Sequence, residues 1–175
     1  DLGESMRRPL VAGNWKMNGS KASITKLLGG LIQKTGDLAD VDMAVLVPSI
    51  YLPLVAGSLE GQSIAWGGQD LSEFASGAYT GETAASMLLD YGCRYVIVGH
   101  SERRTLFGDT DRRVAAKVAR ALSSGLTPIL CVGEQQSERE QGITEQVVGR
   151  QIKAVLDECG VNAFDNLVVA YEPVW

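Results

Sequence analysis

Six short apolar segments recur along the chain, and each closes on glycine or polar residues. In order they are PLVAGNW, VDMAVLVP, SIAWGGQ, RYVIVGH, TPILCVG and NLVVAYEP. None alternates strictly between apolar and polar positions, which is typical of strands covered on both faces. The pattern therefore predicts a parallel sheet of six strands.

Longer segments between these strands show helical spacing. SKASITKLLGGLIQKTG places Ser20 to cap a first helix, and DRRVAAKVARALSSG predicts a helix that ends at Gly125. SEREQGITEQVVGRQIKAVLDECG predicts a further helix, with Ser137 and Glu140 as a capping box. The predicted buried faces are Ile24, Leu27, Leu28, Leu31 and Ile32 in the first helix, Val114, Val118, Ala121 and Leu122 in the second, and Val148, Ile152, Val155 and Leu156 in the third.

Strand and helix alternate six times, which has two common solutions: an open doubly wound sheet or a closed (β/α)8 barrel. A dinucleotide-binding GxGxxG or a phosphate-binding GxxxxGK[ST] after the first strand would favour the doubly wound sheet. The first strand is followed instead by GNWKMNG. Both folds place their chemistry at the carboxyl ends of the strands.

Composition limits the classes of partner. The 175 residues carry 21 acidic and 16 basic side chains, without a basic block suited to nucleic acid. No apolar window approaches the roughly 20 residues of a membrane span, and the N-terminus lacks the apolar stretch of a secretory signal. Three separated cysteines without a CxxC pair suit a reducing compartment. We expect a cytoplasmic protein that binds neither nucleic acid nor membrane.

The length and composition of the chain predict one domain over residues 6–175. Met6 resembles a natural start, so residues 1–5 are interpreted as a remnant of cloning, with a native extension as the alternative. The single histidine, His100, excludes a zinc site with several histidines, and we expect neither a metal nor an organic cofactor.

Polar residues collect where the predicted strands end: Asn14, Lys16, Gln69, His100, Ser101, Glu134 and Glu172. In a barrel these ends converge on one mouth, where the reactions of that fold occur. Taken singly, Lys16 could be a solvated loop charge, His100 a structural residue and Glu172 a strand end before proline. Together they offer a base, an imidazole and a cation at one site.

Three such groups suit an isomerisation that needs no metal. A carboxylate removes a proton next to a carbonyl, while an imidazole or ammonium stabilises the resulting enediolate oxygen. Returning the proton to the neighbouring carbon completes the reaction.

Five segments carry a family resemblance. AGNWKMNG, SGAYTGE, VIVGHSERR, CVGE and VVAYEPVW resemble triosephosphate isomerases, in the same order and at similar separations over nearly the whole chain. The resemblance implies a TIM barrel of about 250 residues and eight strands, of which this chain holds about six βα units. It also implies interconversion of dihydroxyacetone phosphate and glyceraldehyde 3-phosphate, in glycolysis and gluconeogenesis.

The same resemblance implies residue roles. Glu172 would be the base, and neutral His100 the electrophile on the carbonyl, its neutral form favoured by a nearby helix N-terminus. Lys16 would hold the anionic substrate and Asn14 would hydrogen-bond its oxygens.

Supporting roles follow the same motifs. Ser101 would contact the base when the lid is open, Glu102 would pair with Lys16, and Glu134 would lie near Trp175, where the lid begins.

A homodimer is also implied. Thr80 would reach into the active-site mouth of a second subunit, and Glu82 of one subunit would lie near Arg103 of the other. Without the resemblance, SGAYTGE is interpreted as a glycine-rich turn before a helix. Asp70 follows Gln69 where some relatives carry Asn, without an evident consequence.

The family's lid, last two strands and glycine-rich phosphate loops have no counterpart in the sequence. We therefore interpret the chain as truncated after the sixth strand, at the start of the lid, with a natural or engineered fragment or one part of a complex as alternatives. Open sheet edges promote aggregation, so we expect that the chain alone is not a stable, active monomer.

The alternative function is an inert fragment that acts only in folding or oligomerisation; a different enzyme on the same barrel is a third possibility.

Overall fold

A computed structural model gives the fold and describes residues 7–35 and 39–172. Its sheet is parallel throughout, and the strands lie side by side in chain order. The strands are β1 (Leu10–Asn14), β2 (Asp42–Leu46), β3 (Ile64–Gly68), β4 (Tyr95–Val98), β5 (Thr127–Val132) and β6 (Val168–Tyr171). This order is that of a (β/α)8 barrel, with six of its units described, and a doubly wound sheet would have a different strand order.

Helices connect the strands. They are α1 (Lys21–Thr35), α2 (Leu52–Leu59), α3 (Ala85–Asp90), α4 (Ser101–Leu106), α5 (Asp111–Ser124), α6 (Gln136–Glu140) and α7 (Thr144–Cys159), with 3-10 turns at Ser49–Tyr51 and Val161–Asn166. The Ser20 hydroxyl accepts a hydrogen bond from the Ser23 N–H, and Gly125 ends α5 in the left-handed conformation at φ 93°. Both predicted helix boundaries are confirmed.

Two apolar clusters cover the two faces of the sheet. The larger packs the helices against one face and includes Val96, Val98 and Leu130. The smaller fills the opposite, inner face and includes Tyr95, Ile97 and Cys131. Because successive residues of a strand point to opposite faces, one apolar strand such as YVIV supplies both clusters. The absence of strict alternation in the sequence is thus explained.

The third predicted helix differs from expectation. It is divided into α6 and α7 by a turn at Gly142, whose φ is 73°. The capping box predicted at Ser137 and Glu140 is wrong by two residues, because the Gln135 N–H donates to Glu138 Oε1. A positive φ is easily reached by glycine, so the chain turns there and starts a new helix.

Two predicted core residues are also wrong. Leu27 of α1 is 47% exposed and Leu156 of α7 is 38% exposed. Ile24 and Leu28 form the buried centre of α1, and Val155 that of α7. The buried stripe of each helix is therefore narrower than its apolar pattern.

Candidate active site

The carboxyl ends of β1, β4 and β6 bring the predicted reactive residues to one mouth. Register places Asn14 beside Leu46, Val98 beside Leu130 and Tyr171 beside Val132, so the strand ends lie at similar heights. Two cavities share Lys16, His100 and Glu102 in their walls. One, of about 380 Å³, also contacts Asn14 and Gln69, and the other, of about 310 Å³, contacts Glu172. The predicted convergence of these strand ends is confirmed by the geometry.

His100 caps helix α4, and this contact sets its protonation. Its Nδ1 accepts a hydrogen bond of 3.1 Å from the Glu102 N–H. A ring nitrogen that accepts an N–H bond carries no proton itself, so the imidazole is neutral and Nε2 bears the hydrogen. Nε2 lies 3.2 Å from Glu172 Oε1. The ring is 8% exposed, which fixes its orientation towards the mouth.

Glu172 follows β6 and is held from two directions. Its N–H donates to the Val132 carbonyl at 2.8 Å, and its Oε1 accepts from the Ser101 N–H at 3.2 Å. Partial burial raises the pKa of Glu172, but hydrogen bonds from His100 and Ser101 outweigh burial, so the pKa lies below its ordinary value. The side chain is therefore an ionised carboxylate near neutral pH.

Lys16 presents its ammonium at the same mouth. Nζ lies 2.7 Å from Glu102 Oε1, and the hydrogen bond to this carboxylate raises the pKa of Lys16. The residue has φ 53°, a left-handed conformation that is uncommon for a side chain of this size. Lys16 is thus a fixed cation on a strained loop.

Amide groups order the first loop. Asn14 Oδ1 accepts from the Lys16 N–H at 2.9 Å. Gln69 Nε2 donates to the Lys16 carbonyl at 2.9 Å and to the Leu46 carbonyl at 3.1 Å. With Asn14 Oδ1 occupied, its NH2 group is the part available to a bound molecule.

Comparison with known proteins gives the family. The triosephosphate isomerase family model matches residues 9–175. The chain belongs to the triosephosphate isomerase family. It is 56% identical over 170 residues to the enzyme named triosephosphate isomerase from Thiobacillus denitrificans, covering 97% of this chain and 67% of that protein. The protein of the same name from Hydrogenovibrio crunogenus is 56% identical over 171 residues, with 97% and 68% covered. This chain spans about two thirds of the length of both relatives.

The other residues predicted from this family lie at different depths. Ser101 and Glu102 stand at the mouth, in contact with Glu172 and Lys16 respectively. Glu134 is fully buried behind the mouth and accepts from the Tyr171 hydroxyl at 2.7 and 2.8 Å. Its predicted neighbour Trp175 lies outside the described residues, as do residues 1–5.

Three residues were predicted to form a subunit contact, and they differ in their surroundings. Thr80 and Glu82 are exposed on the loop between β3 and α3. Arg103 is engaged within its own chain, because its Nε lies 3.0 Å from Asp70 Oδ2 and 3.1 Å from Asp109 Oδ2. Sequence reasoning noted Asp70 without finding a consequence for it, and it missed Asp109.

Sequence reasoning also missed Lys117, whose side chain is 2% exposed and bonded to Asp70 and Asp109. A signal was present: Lys117 stands three residues after Val114, on the buried stripe of α5. A lysine on such a stripe needs buried carboxylates as partners.

Two kinds of feature are absent from residues 7–35 and 39–172. No helix there has the length and apolar character to cross a bilayer. No group of three or more His, Cys, Asp and Glu side chains in that part is arranged to hold a metal ion.

Proposed function

We propose that the protein is a triosephosphate isomerase, which interconverts dihydroxyacetone phosphate and D-glyceraldehyde 3-phosphate through an enediolate. The observation that carries the proposal is the contact of 3.2 Å between an ionised carboxylate, Glu172, and the Nε2–H of a neutral imidazole, His100. A base and a hydrogen-bond donor at this separation can act on adjacent carbon and oxygen atoms of one small substrate.

Each group has one task in this mechanism. Glu172 removes the proton from the carbon beside the carbonyl and returns it to the neighbouring carbon. His100 donates from Nε2 to the carbonyl oxygen, where negative charge develops, and the hydroxyl proton passes from one enediolate oxygen to the other to complete the isomerisation. Lys16 attracts the phosphorylated substrate by charge, and the Asn14 NH2 donates to a substrate oxygen. Ser101 and Glu102 act indirectly, as partners of Glu172 and Lys16.

The test is steady-state conversion of each triose phosphate, measured on the protein as its gene encodes it. Replacing Glu172→Gln keeps the size of the side chain and removes the base, so kcat should fall by about 100-fold to 10,000-fold. The matched control is Glu60→Gln, an exposed residue after α2, which should keep the wild-type rate. Wild-type protein without turnover, or a Glu172→Gln variant with the full rate, would reject the proposal.

The alternative, an inert module, has one observation in its favour. Within the described residues, β1 and β6 each pair with a single strand, so the sheet is open on both sides. Addition of 2-phosphoglycolate, an anion that resembles the enediolate, separates the two functions. An isomerase site raises the melting temperature with ligand concentration, whereas an inert module shows no shift.

We also propose a cytoplasmic homodimer. Large apolar side chains near the mouth are exposed, among them Met17 at 95% and Phe107 at 61%. Both line the cavity of about 380 Å³, together with Gly81 and Glu82 of the loop that carries Thr80. A second subunit would cover this patch, with its Thr80 at the mouth and its Glu82 near Arg103. Sedimentation of wild type and Phe107→Lys tests the dimer, because a buried lysine without a partner should dissociate it. Cys93, Cys131 and Cys159 are free thiols, which suits a reducing compartment such as the cytoplasm. A place in glycolysis follows from the proposed reaction.

A further inference from the structure

Four charged side chains form a closed ring beside the mouth. Lys117 Nζ lies 2.9 Å from Asp70 Oδ1 and 3.0 Å from Asp109 Oδ2. Arg103 Nε contacts the same two aspartates, at 3.0 and 3.1 Å. Two cations and two carboxylates thus alternate around the ring, and their formal charges cancel.

The ring is buried on one side and reaches the mouth on the other. The side chains of Lys117 and Asp109 are 2% and 1% exposed, while those of Asp70 and Arg103 are 20% and 31% exposed. Buried charges are retained only when all of them are paired, so removal of one member disturbs the remaining three. Asp70 and Arg103 also line the larger cavity.

Two members of the ring are joined through the backbone to the two residues that hold Lys16. Asp70 directly follows Gln69, whose Nε2 donates to the Lys16 carbonyl at 2.9 Å. Arg103 directly follows Glu102, whose Oε1 lies 2.7 Å from Lys16 Nζ. The ring is therefore connected to both ends of Lys16.

Lys16 needs such support. Its φ of 53° is strained for a residue with a long side chain, and strained conformations persist only where neighbours enforce them. Burial does not fix the ammonium, because the side chain is 53% exposed. Its position depends on Gln69 and Glu102.

We infer that the ring of Asp70, Lys117, Asp109 and Arg103 is a positioning cluster for Lys16, and that Asp70 is the positioning residue that joins its two branches. This inference deepens the proposed isomerase function and rests on it for the role of Lys16. It gives a consequence to the carboxylate at position 70, since an amide there would leave the ring with one excess positive charge.

The test is Asp70→Asn, which keeps the shape of the side chain and removes its charge. A displaced Lys16 binds the phosphorylated substrate more weakly, so KM and the Kd for 2-phosphoglycolate should both rise about fivefold or more, while kcat changes less than about twofold. Asp70→Glu restores the charge and should recover part of the lost affinity. The matched control is Asp42→Asn at the other end of the sheet, which loses a pair with Arg8 and should leave KM unchanged.

A readout independent of activity separates this inference from the proposed function. Carbon-13 labelling of lysine follows the titration of Lys16, whose pKa is raised by Glu102 and should fall towards its ordinary value in Asp70→Asn. If the wild type lacks isomerase activity, the proposed function fails and this titration still decides the inference. If Asp70→Asn does not fold, Arg103→Lys receives the same measurements, because its single ammonium cannot reproduce the guanidinium geometry.

An unchanged Lys16 titration with unchanged KM and Kd would overturn the inference. A lower melting temperature with unchanged KM would assign the ring a structural role alone, which also overturns it.

Discussion

Within residues 7–35 and 39–172, strands β4 and β5 are more buried than strands β1 and β6, yet both pairs of strands supply the candidate site. Every residue of β4 and five of six in β5 are buried, whereas none in β1 or β6 is buried. His100 follows the buried strand β4, whereas Lys16 follows β1 and Glu172 follows β6. The imidazole is thus placed by packing, and the base and cation by other means.

Those other means are hydrogen bonds to the centre. Glu172 is bonded to the Val132 carbonyl and the Ser101 N–H, and Lys16 to Glu102 and Gln69. A well-packed centre can therefore order polar groups on strands that have few apolar contacts of their own. Three experiments test this comparison.

The largest difference should come from replacing a valine by lysine at a buried position of β4 and at an exposed position of β6. Val98 of β4 is fully buried, and Val169 of β6 is 42% exposed. Val98→Lys places an unpaired charge in the core, which should abolish folding, since its cost approaches the whole stability of a typical domain. Val169→Lys should lower the soluble fraction much less, because this side chain is 42% exposed and a lysine there can keep its ammonium in water. Equal soluble fractions of the two variants after expression would contradict the comparison.

An intermediate contrast concerns ion pairs. Lys117→Met in the buried ring leaves two carboxylates with one cation, which should lower the free energy of unfolding by about 3–5 kcal/mol. Arg8→Met breaks a pair at the start of β1 whose side chains are 54% and 31% exposed, and should cost less than about 1 kcal/mol. Urea unfolding of both variants measures the difference. Similar losses would mean that the ring is no more important than a surface pair.

The smallest effect concerns pH. Because hydrogen bonds hold the pKa of Glu172 below its ordinary 4.5, the ionised side chain stabilises the fold above that pH and loses this contribution as pH falls through its lowered pKa. Wild type should therefore melt above Glu172→Gln at pH 7, and the difference should be smaller at a pH well below the ordinary pKa of 4.5. Melting curves at both pH values check this. A difference that persists in acid would show that the carboxylate charge is not responsible.

Much of this fold could be predicted from the order of apolar segments alone. The strands near Val98 and Leu130 are short, apolar and not alternating, and both faces are indeed buried. The exposure of Val11 and Val169 could not be predicted, because it depends on the neighbours that a strand has in the fold rather than on its own residues.

The candidate site likewise has one part that the sequence predicts and one part that it does not. The convergence of Lys16, His100 and Glu172 could be predicted, because each follows a strand and parallel strands end on one side of a sheet. The pairing of Lys117 with Asp70 and Asp109 was not predicted, because Asp70 is far from Lys117 along the chain. The sequence shows only a charged residue on the apolar stripe of α5.

The account's central claim is that Glu172, which directly follows strand β6, carries the proton between substrate carbons. Conversion of dihydroxyacetone phosphate in D2O tests it most directly. Wild-type protein should form glyceraldehyde 3-phosphate with deuterium at carbon 2, and Glu172→Gln should lose both conversion and label together. Glyceraldehyde 3-phosphate formed by Glu172→Gln at the wild-type rate, with or without deuterium at carbon 2, would contradict the claim.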